Sequence, residues 1–459
     1  MHGSTTGHLW LDSRLWLPLC FFTLDTSAWS AKQYDLSLPS QARRTFNVAS
    51  TVQLTGTFHT QTASEETKTW NMTSKAEHRY RERRIPGTGR QAAAFRSLRI
   101  YDKAESQVRV ARRTTSLQLH PQLKVILACG RRDGVELFSS RHLFRREDLD
   151  LLNAPGDSLA VQSLLPRHQV AIGDTWQTQA WSLQMLSDLD TLLDGHLRCE
   201  LKSVTSGLAR VALRGMAEGA TVGTKAKLTF DGHLIFDLQA RFLREFQLTQ
   251  TEQRSAGTVS PGMEITARIN SKWSAAPDEP ALSDAAAAAY PLNPPESMGQ
   301  LSFVNPGHIR FRHARDWHVY HQSRDVTILR LLARGRLVAQ CNVRLLPATQ
   351  PGQYTSKSRF VSDIRSSLGK RLDRTAHDQV ADAAHGPLRF RIVAHGRDSG
   401  QHFRWIYYLF ADPDGRQSTF MFTVADSERE RFSAQDQQIA NSFEFDSRNS
   451  RPPVNLPGK

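Results

Sequence analysis

Three histidines, His313, His318 and His321, share one short segment and are the first candidates for metal chemistry in the chain. If the segment is an extended strand, its side chains alternate, so His318 and His321 face opposite sides. His313 and His321 share a side but lie too far apart along the strand for one ion. Zinc needs convergent ligands, and this spacing supplies none. Asp412-Pro413-Asp414-Gly415 opens like a calcium loop, yet no glutamate stands at the twelfth position, where Ala425 and Asp426 fall nearby. A hairpin turn accounts for these four residues. Gly87-Thr88-Gly89-Arg90 lacks the Gly-Lys-Ser/Thr end of a phosphate loop and reads as an ordinary loop. Asp174, inside Val170-Ala171-Ile172-Gly173-Asp174-Thr175-Trp176, is a turn former rather than a catalytic acid, with Trp176 anchoring the strand that follows. The chain has no Gly-x-Ser-x-Gly elbow, no His-Glu-x-x-His and no Cys-x-x-Cys. The sequence therefore assigns no catalytic residue, no cofactor and no metal ligand. A hydrolase would have to assemble its acid and base groups from distant positions.

The elements that would position any site are mostly strands. From Phe46 to about Ser140, polar and apolar residues alternate over long runs such as VASTVQLTGTFHTQ, the period of antiparallel strands with one wet face. Arg132-Asp133-Gly134 and Asp231-Gly232 read as hairpin turns. Between Arg145 and Leu193 the apolar spacing turns helical, predicting short helices that cap the sheet, and alternation returns up to Ser274. Residues 275–300 are rich in alanine and proline and read as a tether. From Leu301 the order is strands, a helix containing Phe360, Ile364 and Leu368, further strands, and a closing helix. The aromatics Phe403, Trp405, Tyr407, Tyr408, Phe410, Phe420 and Phe422 read as core, one set under a helix and the other partly exposed. The predicted class is α+β. The expected plan is a leader at 1–30, a curved antiparallel sheet module at 46–274, the linker at 275–300, a sheet flanked by helices at 301–446 and a disordered tail at 447–459.

With 459 residues and 39% hydrophobic content the chain is long enough for two globular modules. The net charge of +14 directs attention to acidic partners. Its basic clusters, Arg79 to Arg84, Arg112-Arg113, Arg131-Arg132 and Arg145-Arg146, are short and scattered, and no nucleic-acid motif appears. Leu15 to Leu24 form an apolar run after Arg14, followed by small residues, so the start reads as a secretory signal with cleavage near Ser30. That places the mature chain in the periplasm or outside the cell. No later stretch is long and apolar enough for a transmembrane helix. Cys129, Cys199 and Cys341 are too few for a disulfide scaffold, and their pairing is left open.

Gly173-Asp174-Thr175-Trp176, after the Pro166-bounded apolar segment, resembles a motif of uncharacterised bacterial secreted proteins with a curved antiparallel sheet. In architecture such a sheet is also similar to envelope lipoprotein carriers of the LolA type. Residues 301–446, with Asp316-Trp317, Ile439 and Ser442-Phe443, resemble the PsbP-like family, and that resemblance implies a binding or assembly role. The functional expectation is an exported, non-enzymatic binding protein of the cell envelope whose partner is an unidentified envelope protein. The alternative is a carrier of an apolar or lipid ligand in the N-terminal sheet.

Overall fold

The computed structural model describes residues 32–38, 45–61, 67–87, 91–139, 141–257, 260–291, 294–305, 309–323, 325–333, 335–381 and 388–446. The expected leader and tail lie outside them. Among the described residues strands make up 57% and helices 17%, so the α+β expectation with flanking helices is overturned in favour of a β-rich class. The cause is local. The helical spacing after Arg145 yields helices of five to eight residues, whereas the alternating runs form strands of up to 20 residues.

Twelve antiparallel strands form the large sheet. They are β1 (Thr45–Gln61), β2 (Thr67–Pro86), β3 (Phe95–Val110), β4 (Arg113–Gln118), β5 (Val125–Arg131), β6 (Gly134–Phe138), β7 (Thr175–Gln177), β8 (Thr191–Thr205), β9 (Leu208–Thr221), β10 (Thr224–Asp237), β11 (Phe242–Arg254) and β12 (Gly262–Ala275). Their order is β6-β5-β3-β2-β1-β12-β11-β10-β9-β8-β7, with β4 also on β3. β10 shows why the sheet forms: Ala226, Leu228, Phe230, Leu234 and Phe236 are buried, while Lys225, Lys227, Thr229 and Asp231 are exposed. The turn expected at Asp231-Gly232 is absent, because Gly232 sits mid-strand opposite Leu248. A Cβ there would stand 2.2 Å from the Gln247 carbonyl oxygen, so glycine serves close strand approach rather than a turn.

The helices α1 (Arg146–Leu152), α2 (Ser158–Gln162) and α3 (Ala180–Ser187) cover the apolar side. Leu149, Leu152, Leu159, Leu183 and Leu186 join Val211, Phe230, Phe246 and Ile269 in one core. A buried polar network fixes their position. Arg99, 1% exposed, donates two parallel hydrogen bonds to Asp157 at 2.7 and 2.8 Å and another to Glu82 at 3.2 Å. Asp157 also accepts from the Leu159 N–H at 2.8 Å and so caps α2. His78 meets the Leu151 carbonyl at 2.8 Å.

Short helices α4 (Asp284–Ala288) and α5 (Glu296–Gly299) interrupt the alanine- and proline-rich connection. This connection is no open tether. Leu282 is buried among Leu98, Ile100, Leu127, Cys129 and Phe138, and Arg81 and Arg83 pair with Glu279 and Asp284. Its apolar residues cover the side of β3 and β5 that the helices leave bare.

The C-terminal residues form two sheets. β13 (Leu301–Val304), β14 (Ile309–His313) and β22 (Glu444–Phe445) make the small one. β15 (Trp317–Gln322), β16 (Val326–Ala333), β17 (Arg336–Leu346), β18 (Leu372–Ala381), β19 (Leu388–Asp398), β20 (Gln401–Ala411) and β21 (Gln417–Ala425) make a seven-stranded sheet in the order β15-β16-β17-β21-β20-β19-β18. Phe360, Ile364 and Leu368 of α6 (Lys357–Leu368) pack on Ile392, Trp405 and Tyr407. The predicted closing helix breaks into α7 (Arg429–Phe432) and α8 (Gln435–Asn441), whose Phe432 and Ile439 pack on Tyr408, Phe410, Phe420 and Phe422. Both alternating sets of β20 are thus covered, and the partly exposed aromatic set expected from the sequence is absent.

Gln33–Lys459 constitutes one compact unit. The Ser302 N–H donates to the Phe144 carbonyl at 2.8 Å, Leu301 enters the core of the large sheet, and Arg146 donates to the Arg315 carbonyl and, at 3.2 Å, to that of Trp317. This junction is acid-sensitive by construction. Burial, against the Ala314 carbonyl and with Arg146 adding repulsion, holds His313 down at about 4. Burial, then Arg146 and His313, does the same to His318. The fold favours both imidazoles neutral, so their contribution is complete above the ordinary value of 6.5 and is lost as pH falls towards 4. Lowering the pH from 7 to 5 is expected to cost roughly 2 kcal/mol for His313 and less for the half-buried His318. Urea unfolding at both pH values checks this, and His313→Gln flattens the dependence.

Candidate functional site

A depression of about 960 Å³ lies at the end of the large sheet where β1 and β12 meet the β8–β9 hairpin. One register row crosses it: Arg79 opposite Ala49, Ala49 opposite Lys272, Lys272 opposite Glu245, Glu245 opposite Ile235, Ile235 opposite Arg210 and Arg210 opposite Ser203. Bulges at Ile235/Phe236 and Leu201/Ser203 shift the strands here. Ser206, at φ 51°, turns the hairpin and brings Leu208, 38% exposed, to the rim.

The lining is amphipathic. Ala49, Leu208 and Ile235 supply apolar surface. Arg79 pairs with Glu77 at 2.6 Å, Asp102 with Arg81 at 3.0 Å, and Arg244 with Asp237 at 3.8 Å. Arg210 and Lys272 have no ion-pair partner among the described residues. Trp273, next to Lys272 on β12 and so on the opposite face, is 3% exposed and packs in the core of the large sheet.

The sequence candidates fall elsewhere. His313 ends β14 and His318 lies in β15, so the histidines do not share one strand. A bulge between Val319 and His321 further displaces the third. No three His, Cys, Asp or Glu side chains converge for an ion among the described residues. Asp174 accepts from the Ala171 N–H at 2.7 Å and makes a turn, while the Trp176 indole donates to the Leu164 carbonyl at 2.9 Å. Asp412 accepts from the Arg416 N–H at 2.8 Å, and Gly415, at φ +83°, closes the hairpin. Residues 88–90 lie outside the described residues. Cys129, Cys199 and Cys341 are buried free thiols, and burial pushes Cys199 up to about 12.

Serine, carboxylate and guanidinium groups do converge at Ser158, Glu82 and Arg99, a dispersed grouping invisible in the sequence. All three lie under α2 at 2% exposure or less. The Ser158 hydroxyl donates to the same Glu82 oxygen that accepts from Arg99, and the rest of the Arg99 guanidinium is taken up by Asp157. This grouping holds the fold.

No family model matches the chain, and no curated protein matches it. Among solved structures, it is similar to lipovitellin, from a structure of its lipid–protein interactions, at 7% identity and a TM-score of 0.30. That match covers 52% of this chain and 26% of lipovitellin, so the chain spans about a quarter of that protein's length. DynF of the dynemicin biosynthesis pathway of Micromonospora chersina matches at 10% identity and a TM-score of 0.15, covering 53% of this chain and 85% of that one. The translocator domain of the autotransporter NalP from Neisseria meningitidis matches at 9% and 0.13, covering 84% and 89%. Likenesses at these scores carry no argument. Among the described residues no helix is long and apolar enough to cross a membrane.

Proposed function

We propose that the chain is a binding protein whose cleft at the end of the large sheet takes an amphipathic ligand, with its apolar body on Leu208 and Ile235 and its anionic group on Arg210 or Lys272, the cations on either side of the Glu245–Ile235 pair. The observation that carries this reading is the cleft itself: about 960 Å³ of open space where Arg210 and Lys272, without ion-pair partners among the described residues, stand beside apolar surface. The apolar side of the sheet is filled by α1, α2 and α3, so the lipid-carrier reading moves from the sheet interior to this rim. The leader-like residues 15–31 support an envelope setting, where amphiphiles need carriers.

Titration with a fluorescent fatty-acid analogue tests the reading. Saturable binding is expected, with the Arg210→Ser/Lys272→Ser variant weakened about tenfold or more, the effect of losing charge-assisted hydrogen bonds. Equal binding by this variant, or an uncharged alkyl alcohol of the same length binding as well as the acid, would refute it.

A further inference from the structure

A second cleft, of about 430 Å³, is lined mostly by polar side chains, with Leu123 and Leu143 among them, and lies where the β4–β5 loop, the segment before α1, and β14 and β22 meet. Four arginines, Arg141, Arg145, Arg310 and Arg312, and two histidines, His120 and His142, line it together with Ser302 and Ser442. The two carboxylates in the lining are already engaged. Asp148 is buried and accepts from the Arg145 N–H at 3.0 Å, and Glu444 pairs with Arg310 at 2.5 Å. Arg310 and Arg312 stand on the exposed face of β14, whose other face buries Ile309 and Phe311. Arg141 and Arg312 have no carboxylate partner among the described residues, so the lining carries an excess of two positive charges.

The geometry points to this cleft as a binding site for a phosphate monoester. Guanidinium groups offer planar pairs of N–H donors that match tetrahedral oxyanions. A phosphate monoester carries between one and a half and two negative charges near neutral pH, which matches the excess in the lining. A carboxylate would neutralise half of it. The cleft volume suits a compact head with a small body, whether free in solution or at the surface of a lipid bilayer.

Isothermal titration of the full chain with glycerol 3-phosphate tests the site, alongside sedimentation with phosphatidylcholine vesicles with and without phosphatidic acid. Saturable binding is expected, and Arg141→Ser or Arg312→Ser should each weaken it about tenfold, the effect of one charge-assisted contact. Both side chains are exposed, so the unfolding midpoint of each variant should match wild type. Retention on phosphatidic acid vesicles that Arg312→Ser abolishes identifies a lipid headgroup as the source. Binding of glycerol 3-phosphate without vesicle retention identifies a free metabolite. Absence of both forms of binding, or binding that neither substitution weakens, overturns the proposal.

Discussion

Replacing Arg99 with methionine is expected to lower the unfolding free energy by about 3–5 kcal/mol, because it strands two carboxylates in the core. Glu82 is fully buried and Asp157 is 12% exposed, and both spend their charge on this one guanidinium. Burial works against the Arg99 charge, yet Asp157 and the neighbouring tyrosines hold it protonated well above the ordinary value. One Glu82 oxygen has no partner even with Arg99 in place, so the network has no spare donor to compensate. Urea unfolding measures the loss. The decisive comparison is the double variant Arg99→Met/Glu82→Leu, which removes the buried carboxylate together with its partner and is expected to recover much of the stability. Asp157 reaches solvent and keeps its N-cap bond. If the single variant is as stable as wild type, the network does not fix α2 as described.

Trp317→Ala is expected to cost a similar amount, about 3–5 kcal/mol, for a different reason. Its side chain is fully buried, stands edge-on to Phe422 with ring centres 6.0 Å apart, and donates its indole N–H to Gln435 at 3.1 Å. Truncation opens a cavity beneath α8 and leaves the Gln435 carbonyl oxygen without this donor. Trp317→Phe keeps most of the volume and should cost markedly less, which separates packing from hydrogen bonding. Because the Trp317 carbonyl also accepts from Arg146, loosening β15 weakens the junction with α1. Thermal unfolding of both variants, followed by near-ultraviolet circular dichroism, provides the measurement.

Strands were legible wherever one face is wet. β10 and β12 alternate residue by residue, and the hairpin at Arg132-Asp133-Gly134 joins β5 to β6 as its residues predict. Alternation fails where both faces are covered or where the chain bends. The segment from His313 through His321 reads as one strand but is divided between β14 and β15, because Arg315 and Asp316 sit in a turn that period-two patterning does not register. Asp231-Gly232 misled for the opposite reason: the glycine is demanded by a neighbouring strand, a constraint that local sequence does not carry. The Ala/Pro-rich segment looked pliable because its few large apolar residues, Leu282, Tyr290 and Met298, stand eight positions apart, too sparse to mark the face of a strand or helix. The surface they cover was not apparent from their own neighbourhood.

The candidate clefts were illegible for a plainer reason. Arg210, Ile235 and Lys272 come from three strands, and only register places them in one row. Arg312 and Arg141 come from opposite sides of the junction. Arg145-Arg146 was the one flagged basic pair that reaches the polar cleft, and its two members divide the work: Arg145 lines the opening, while Arg146 turns inward to the carbonyls of β15 and the turn before it.

The pairing of β1 with β12 has a bearing on how the chain is made. Asn47 meets Ser274 across 227 positions of sequence, so a ribosome delivers almost the whole N-terminal half before that seam can close. Until then the nascent hairpin of β1 and β2 presents an unpaired strand edge, the kind of surface that recruits other chains. β1 is dense in threonine and serine and nearly bare of charge, with His59 its only ionisable side chain among residues 45–61. Its safety during biogenesis therefore rests on prompt arrival of its partner or on a chaperone holding the edge.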